Sequence, residues 1–149
     1  MNQVKMEDRQ FPFEFVYSTL KKFSHLFTPP LSEVLDIEAY ARKLSKKANF
    51  VVCVSEGVQL GFVAYYLNAM AHQIYISLIC VDESYQAQGI GGKMLNHITT
   101  YAETTGCSYE SIALEVNKRN GKAQRFYLKQ GFIEQEDRGE KLLMRKCIK

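Results

Sequence analysis

The sequence predicts a mixed α/β domain with a mostly antiparallel central sheet and flanking helices. Three β-rich runs follow one another at residues 50–55, 60–67 and 74–81, and only short turns separate them. Strands joined in this way pair as antiparallel neighbours. Helical patterns stand on both sides of these runs, and a further strand, helix and hairpin follow. This order indicates a mixed sheet and not a doubly wound parallel one.

Two helices precede the strands. The first, at roughly residues 12–27, has Pro12 in a position suited to a first turn, and Pro29 and Pro30 end it. Its apolar residues at helical spacing are Phe13, Val16, Leu20, Phe23 and Phe27. The second helix is marked by Ile37, Tyr40, Ala41 and Leu44.

The second half of the chain alternates helices and strands. Gly89 opens a helix whose apolar residues recur at every fourth position, and Gly106 is placed to cap its end. The remaining predicted elements are a strand at residues 111–116, a helix from Asn120 to Gly131 and a closing hairpin of residues 132–136 and 141–147.

Length and composition favour one globular domain, residues 1–149. The chain has 46% apolar and 23% charged residues, which is the ordinary range for such domains. Its net charge of +3 is small and spread along the sequence, so we expect no nucleic-acid partner. No apolar run approaches the length of a membrane helix, and the polar N-terminus carries no signal-peptide pattern.

The four cysteines are far apart and include no C-x-x-C pair, so we expect no zinc cluster and no other metal. Cys53, Cys80 and Cys147 fall in apolar, strand-like runs, where a free cysteine behaves as a small hydrophobe. Reduced, buried thiols and a cytoplasmic location are therefore expected, in preference to a disulfide-linked secreted protein.

The most informative segment is residues 81–93, where a strand, a short loop and three glycines lead into a helix. Glycines let the backbone approach a ligand, and the free N–H groups of a helix start form an anion site. The alternative is that the glycines only shape a tight turn. Met94 excludes two other phosphate motifs, because it takes the place of the third glycine of G-x-G-x-x-G and of the Ser or Thr of a P-loop.

Two motifs resemble the GCN5-related N-acetyltransferases, the GNAT superfamily. Gln86-x-x-Gly89-x-Gly91 matches the Q/R-x-x-G-x-G/A loop, and the strand ending at Val116 is followed by Asn120-x-x-Ala123-x-x-x-Tyr127-x-x-x-Gly-Phe. The resemblance covers roughly residues 49–147 and implies the GNAT-like acyl-CoA N-acyltransferase fold. Members of that family usually begin with a strand. In this chain only Val4 and Met6 suggest one.

The resemblance implies an enzyme that moves the acetyl group of acetyl-CoA directly to a primary amine. In the family the glycine loop holds the pyrophosphate, a strand edge pairs with the pantetheine amides, and an asparagine contacts the pantetheine arm. The corresponding cofactor-binding residues are Ile79, Cys80, Val81, Gln86, Ala87, Gln88, Gly89, Ile90, Gly91, Gly92, Asn120 and Tyr127. Asn120 is equally suited to cap a helix, and Cys80 is included for its backbone, since no histidine lies nearby in sequence to activate its thiol.

Tyr127 is the implied proton donor to the departing thiolate; the alternative is a core tyrosine beside Phe126. Glu115 is the candidate base, with a spacing to Tyr127 similar to that in the ribosomal-protein alanine acetyltransferases. It lies on the strand face opposite Ile112 and Leu114, and a salt-bridged structural glutamate is the equal alternative. Weaker candidates for the base are Ser77, Tyr75 and His72.

The sequence is also compatible with other functions. A catalytically silent acyl-CoA-binding module is the main alternative, and a nucleotide-binding regulator is disfavoured by the failed phosphate motifs. A basic group, Lys118, Arg119, Lys122 and Arg125, is expected to be a solvated helix face, with contact to the cofactor's 3′-phosphate as the minor alternative. The acceptor, a small-molecule or peptide amine, is not readable from the sequence, and a homodimer is neither required nor excluded.

Overall fold

A computed structural model describes residues 4–104 and 109–148. Its strands are β1 Lys5–Arg9, β2 Asn49–Ser55, β3 Val58–Asn68, β4 Gln73–Val81, β5 Ser111–Asn117, β6 Ile133–Arg138 and β7 Lys141–Cys147. Its helices are α1 Phe13–Phe23, α2 Leu31–Val34, α3 Ile37–Lys47, α4 Ile90–Thr104 and α5 Gly121–Lys129, with 3-10 turns at Ser24–Leu26 and Glu83–Gln88.

The described strands form one sheet in the order β1-β2-β3-β4-β5-β7-β6. Only the β4–β5 pair is parallel, and the other neighbours are antiparallel. The mixed, mostly antiparallel sheet with flanking helices is therefore as predicted. The parallel pair arises because α4 connects β4 to β5 as a crossover, whereas turns connect β2, β3 and β4.

The helices cover the two faces of the sheet and create two cores. The first core packs α4 and α5 against one face, through Ile90, Met94, Ile98 and Tyr127. The second core packs α1 and α3 against the other face, where Val16, Leu20, Ala41 and Leu44 meet the aromatic rings of β2 and β3. No helix within the described ranges is long and apolar enough to span a membrane.

Several boundaries differ from the sequence-based expectation. A first strand, β1, is present and includes Met6 but not Val4. The first helix ends at Phe23 and continues as a 3-10 turn, and the short helix α2 was not predicted. Helix α4 begins one residue after Gly89, which has a left-handed backbone. The predicted cap at Gly106 and Cys107 lie outside the described residues.

A β-bulge in β4 marks the place where the sheet opens. In the β3–β4 ladder Ala64 pairs with Leu78 and Tyr65 pairs with Ile76, so Ser77 is the extra residue. The β4–β5 ladder ends just before this bulge, at the Ile76–Leu114 pair. Beyond it β4 stays paired with β3 and β5 stays paired with β7, and the two parallel strands separate.

Candidate active site

The separation of β4 from β5 produces a cleft with two connected parts. The part nearer the glycine turn has a volume of about 320 Å³, and the part nearer the β6–β7 hairpin has a volume of about 410 Å³. Both volumes fall within the range typical of ligand sites, roughly 300–1,000 Å³. The residues that line both parts are Leu26, Thr28, Ile79, Asn120, Ala123 and Tyr127. We call the first part the glycine cleft and the second part the hairpin cleft.

The glycine turn forms one end of the glycine cleft. Gly89 has φ +74°, and a side chain added there would meet nothing within 4 Å, so its backbone faces open space. At the start of α4, the backbone N–H of Lys93 donates to the Gly89 carbonyl. Helix geometry leaves the N–H groups of Ile90, Gly91 and Gly92 without an acceptor inside the helix. Free N–H groups at a helix start are the arrangement that favours an anion.

Gly91 has a second role in packing. A Cβ atom at this position would lie 3.0 Å from the Phe126 ring, so the absence of a side chain lets the start of α4 approach α5. The turn itself is held to β4 by Gln86, whose Nε2 donates to the Val81 carbonyl over 3.1 Å. Lys122 on α5 donates to Oε1 of the same glutamine over 3.0 Å. The geometry of the turn thus depends on contacts with both neighbouring elements.

The free edge of β4 forms one wall of the glycine cleft. Residues 78–81 are paired with β3 on one side only, so the backbone groups of that edge are open toward α5. Ile79, Cys80 and Val81 line the cleft there. Burial, reinforced by the nearby charge of Asp82, raises the pKa of the Cys80 thiol to about 12. Its thiol is therefore protonated at neutral pH and is not an activated nucleophile.

The predicted cofactor-binding residues do not all face the cleft. Gln86, Gly89, Gly91, Asn120 and Tyr127 line it together with the β4 edge. The side chain of Ile90 is fully buried in the core, which leaves only its backbone for a ligand. The remaining three do not line the cleft: Ala87 and Gln88 are exposed in the 3-10 turn, and Gly92 faces the Gln130 side chain. Asn120 also caps α5, since Oδ1 accepts from the Ala123 N–H over 3.1 Å.

Tyr127 lies where the two parts of the cleft meet. Its ring is buried against Phe126 and Phe132 in edge-on contacts. Burial raises the pKa of the Tyr127 hydroxyl, and the neighbouring Cys80 adds to the effect. Within the part of the chain that the structure describes, no group hydrogen-bonds this hydroxyl. The residue therefore belongs both to the core and to the cleft.

Glu115 lines the hairpin cleft and is held by two partners. Arg138 donates through Nη1 to Glu115 Oε2 over 3.1 Å, and the Tyr75 hydroxyl lies 3.4 Å from Oε1. Burial, and then the carboxylate of Glu115, raise the pKa of Tyr75 to about 12. The carboxylate is thus accessible from the cleft and salt-bridged at the same time.

A family model for the Acetyltransferase (GNAT) family matches residues 14–132. The chain belongs to the GNAT family. No curated protein matches it. Solved structures with the same fold include the ribosomal-protein-S18-alanine N-acetyltransferase of Escherichia coli, with 20% identity and a TM-score of 0.74 over 99% of this chain and 94% of that one.

Two structures from Thermoplasma species have the same fold. The PaiA N-acetyltransferase of Thermoplasma acidophilum, solved in complex with coenzyme A, has 17% identity and a TM-score of 0.71, covering 96% of this chain and 99% of that one. Ard1 of Thermoplasma volcanium has 19% identity and a TM-score of 0.72, covering 95% of this chain and 97% of that one. At these identities the likeness concerns the fold.

Three contacts of this GNAT protein were not predicted from its sequence. The Tyr40 hydroxyl on α3 hydrogen-bonds Ser77 at the bulge, Arg138 reaches Glu115, and Lys122 reaches Gln86. Lys122 also lines the glycine cleft, while Lys118 forms an ion pair with Asp137 in the hairpin. The basic group is therefore not a uniform solvated face. The two partners of each of the three unpredicted contacts lie 23 to 37 residues apart in the sequence, so no local pattern indicates that they meet.

The weaker candidates for the base and the cysteines of this GNAT protein can also be located in the structure. Ser77 is engaged by Tyr40, and His72 lies in the turn that follows β3 and does not line either part of the cleft. Cys53 and Cys80 are buried free thiols as expected, but Cys147 is exposed because β7 ends there at the solvent. Among residues 4–104 and 109–148, no three potential metal ligands come together.

Proposed function

We propose that this GNAT protein is an N-acetyltransferase that moves the acetyl group of acetyl-CoA directly to a primary amine. One observation carries the proposal: Tyr127 lines both parts of the cleft at their junction. A thioester entering from the glycine cleft and an amine entering from the hairpin cleft would meet beside this phenol. Holding two reactants next to each other in this way accounts for much of the rate enhancement of an enzyme over the reaction in solution.

The glycine cleft fits acetyl-CoA. The end at the glycine turn offers the backbone N–H groups of Ile90 and Gly91 to a pyrophosphate, and the cation of Lys122 lines the same part of the cleft. The open β4 edge offers the backbone of residues 79–81 to the two amides of pantetheine. Bound in this way, acetyl-CoA supplies an acetyl group on a thiolate leaving group.

Tyr127 is suited to protonate that thiolate. Its raised pKa keeps the hydroxyl protonated at neutral pH, so a donor is present throughout the reaction. Burial also raises the basicity of a thiolate, as it does for the Cys80 thiol on the wall of the same cleft. The proton can then pass from oxygen to sulfur as the carbon–sulfur bond breaks.

Glu115 is the proposed acceptor of the amine's proton, directly or through a water. The attacking amine must be neutral, and the carboxylate is on the wall of the hairpin cleft. Arg138 donates to one oxygen of the carboxylate and fixes its position. Among the described residues the other oxygen, Oε1, has only the long contact with Tyr75 and is available to the acceptor.

The silent acyl-CoA-binding module explains one feature less well. The Tyr127 hydroxyl lies at the cleft and has no hydrogen-bond partner among the described residues. Phenylalanine would make the same ring contacts, so a module that only binds has no need of this oxygen, whereas a proton donor in a reaction would account for it. The buried free thiols of Cys53 and Cys80 support a reducing compartment, such as the cytoplasm.

The test is release of free coenzyme A from acetyl-CoA in the presence of a panel of primary amines, with the acetylated product identified by mass spectrometry. We expect amine-dependent release that requires Tyr127. Tight binding of acetyl-CoA without release for any amine would favour the silent module. Binding of ATP or NAD in place of acetyl-CoA would favour a nucleotide regulator.

A further inference from the structure

The two walls of the hairpin cleft differ in chemistry. One wall, which we call the apolar wall, comes from the segment between α1 and α3: Leu26, Phe27, Pro29, Leu31 and Val34. The opposite wall comes from β5 and the residues after it and is mixed: Leu114 and Val116 are apolar, and the charged or polar residues are Glu115, Asn117, Arg119, Glu140 and Lys141. A molecule that fills this cleft therefore meets hydrocarbon on one side and the charged groups on the other.

The short helix α2 turns its apolar residues to the cleft. Leu31 and Val34 are three residues apart and share one side of the helix, and both line the cleft, whereas Ser32 and Glu33 between them are exposed. Leu31 is buried, but Val34 is 57% exposed and belongs to neither core. An exposed apolar side chain on the wall of a cleft is a contact surface for an apolar ligand group.

The charges of the hairpin cleft do not favour a polycation. Among the described residues, the charged side chains that line it are two acidic, Glu115 and Glu140, and two basic, Arg119 and Lys141. Arg138 pairs with one oxygen of Glu115, which leaves the other oxygen, Oε1, for a single ammonium group. A ligand with three or more positive charges would find no excess of negative charge there.

On these observations we propose that the acceptor is a monoamine with an apolar body, which packs on the apolar wall while its nitrogen points to Glu115 and Tyr127. This inference rests on the proposed acetyl transfer and names its acceptor class. Two sources share this chemistry: a small arylalkylamine, and a peptide whose first residue has an apolar side chain. Polyamines and amino sugars lack the apolar body and carry several charges.

The test measures binding and turnover separately. Phenethylamine, the dipeptide amide Phe-Ala-NH2, spermidine and kanamycin are compared in calorimetry with coenzyme A present, and in the thiol-release assay with acetyl-CoA. We expect phenethylamine or the dipeptide to bind more tightly and to have a higher kcat/KM than either polycation, and their ratio distinguishes the two sources. Tighter binding or faster turnover of spermidine or kanamycin would overturn the inference while leaving acetyl transfer intact.

A matched pair of variants locates the effect. Val34→Asp places a charge on the apolar wall, and Met70→Asp places the same charge at a residue that is 96% exposed in the turn after β3. We expect Val34→Asp to weaken the apolar amine about tenfold or more in Kd and kcat/KM, the scale of contacts in apolar pockets, and Met70→Asp to change neither. Equal behaviour of the two variants contradicts the inference. If no amine is acetylated but phenethylamine binding still depends on Val34, the cleft assignment stands and the proposed enzyme activity fails.

Discussion

Arg138 at the end of β6 holds Glu115 on β5 through an Nη1–Oε2 contact of 3.1 Å, although β7 lies between these two strands. The long guanidinium side chain spans β7, and its Nε also contacts Glu136 on β6. The same contact with Glu115 raises the pKa of Arg138. The turn of the closing hairpin is thereby connected to the candidate base, and the consequences can be measured.

Glu115→Gln should lower kcat and remove the acidic limb of the pH–rate profile. The amide keeps a hydrogen-bond acceptor for Arg138 but cannot take a proton from the amine. Rates measured from pH 5 to 9 with one amine would show this. An unchanged profile would return Glu115 to a purely structural role and leave a water, or Tyr75 or Ser77 on β4, as the proton acceptor.

Arg138→Gln should lower kcat. The guanidinium fixes one oxygen of Glu115, and without it the carboxylate is no longer held in one position on the wall of the hairpin cleft. Steady-state rates with one amine would show this, and the control is Glu136→Gln, which removes the other partner of Arg138 and leaves the pair with Glu115 in place. A kcat that falls equally in both variants, or in neither, would mean that Arg138 does not act through Glu115.

Tyr127→Phe should give a folded protein that binds acetyl-CoA but reacts slowly. The ring contacts with Phe126 and Phe132 remain, and no described group loses a hydrogen bond, so the thermal midpoint should not fall. Loss of general-acid help should reduce kcat by about 10²- to 10⁴-fold when chemistry limits the rate. A near-normal rate in single-turnover measurements would exclude Tyr127 as the donor.

Gly89→Val should abolish stabilisation by acetyl-CoA, which for the native chain is about 2.7 kcal/mol at 100 times Kd. Valine disfavours the positive φ and would occupy the open space that we assign to the pyrophosphate. Gly57→Val is a matched control, since Gly57 has φ +77° and also nothing within 4 Å, but lies in the β2–β3 turn. Both variants should lose similar intrinsic stability. Retention of the acetyl-CoA shift in Gly89→Val would place the phosphates elsewhere.

Tyr65→Phe should weaken the attachment of β1 to the sheet. Tyr65 is buried on β3 and donates to Asp8 Oδ1, while His97 on α4 lies 3.1 Å from Oδ2 of the same carboxylate. We expect a loss of about 1.5 kcal/mol in urea unfolding, the low end for hydrogen bonds to a charged group, because Asp8 is partly exposed. Tyr17→Phe, whose ring stacks on Phe13, is the control and should be neutral. Equal stability of both variants would show that β1 does not depend on this contact.

The sequence left the presence of β1 open for a physical reason. A strand is recognisable from sequence when apolar and polar residues alternate or when an apolar run is buried on both faces. In β1 only Met6 is partly buried, and the other four residues are exposed and charged. Its place in the sheet depends on pairing with β2 and on the contact of Asp8 with Tyr65, which is 57 residues away. Nothing local to the segment carries that information.

The sequence by itself determined the central strands, the helices α3, α4 and α5, and the glycine turn, because each rests on local chemistry. Periodicity of apolar residues places a helix or strand against a core, and Gly89 permits a backbone that other residues disfavour. The two motifs containing Gly89 and Tyr127 lie on separate elements that meet across one cleft. Their meeting follows from the order of the elements, with β4 and β5 as parallel neighbours.

Only the tertiary structure decided which charged and polar side chains meet. The separation of β4 from β5 begins at Ser77, whose hydroxyl bonds Tyr40 from another element, and the partner of Glu115 is Arg138. Such pairs depend on strand register and helix docking, and a shift of one residue would turn each side chain to the opposite face. The apolar wall beside Val34 arises in the same way, from a four-residue helix that has no periodicity to detect and acquires its orientation only by packing against the 3-10 turn that follows α1.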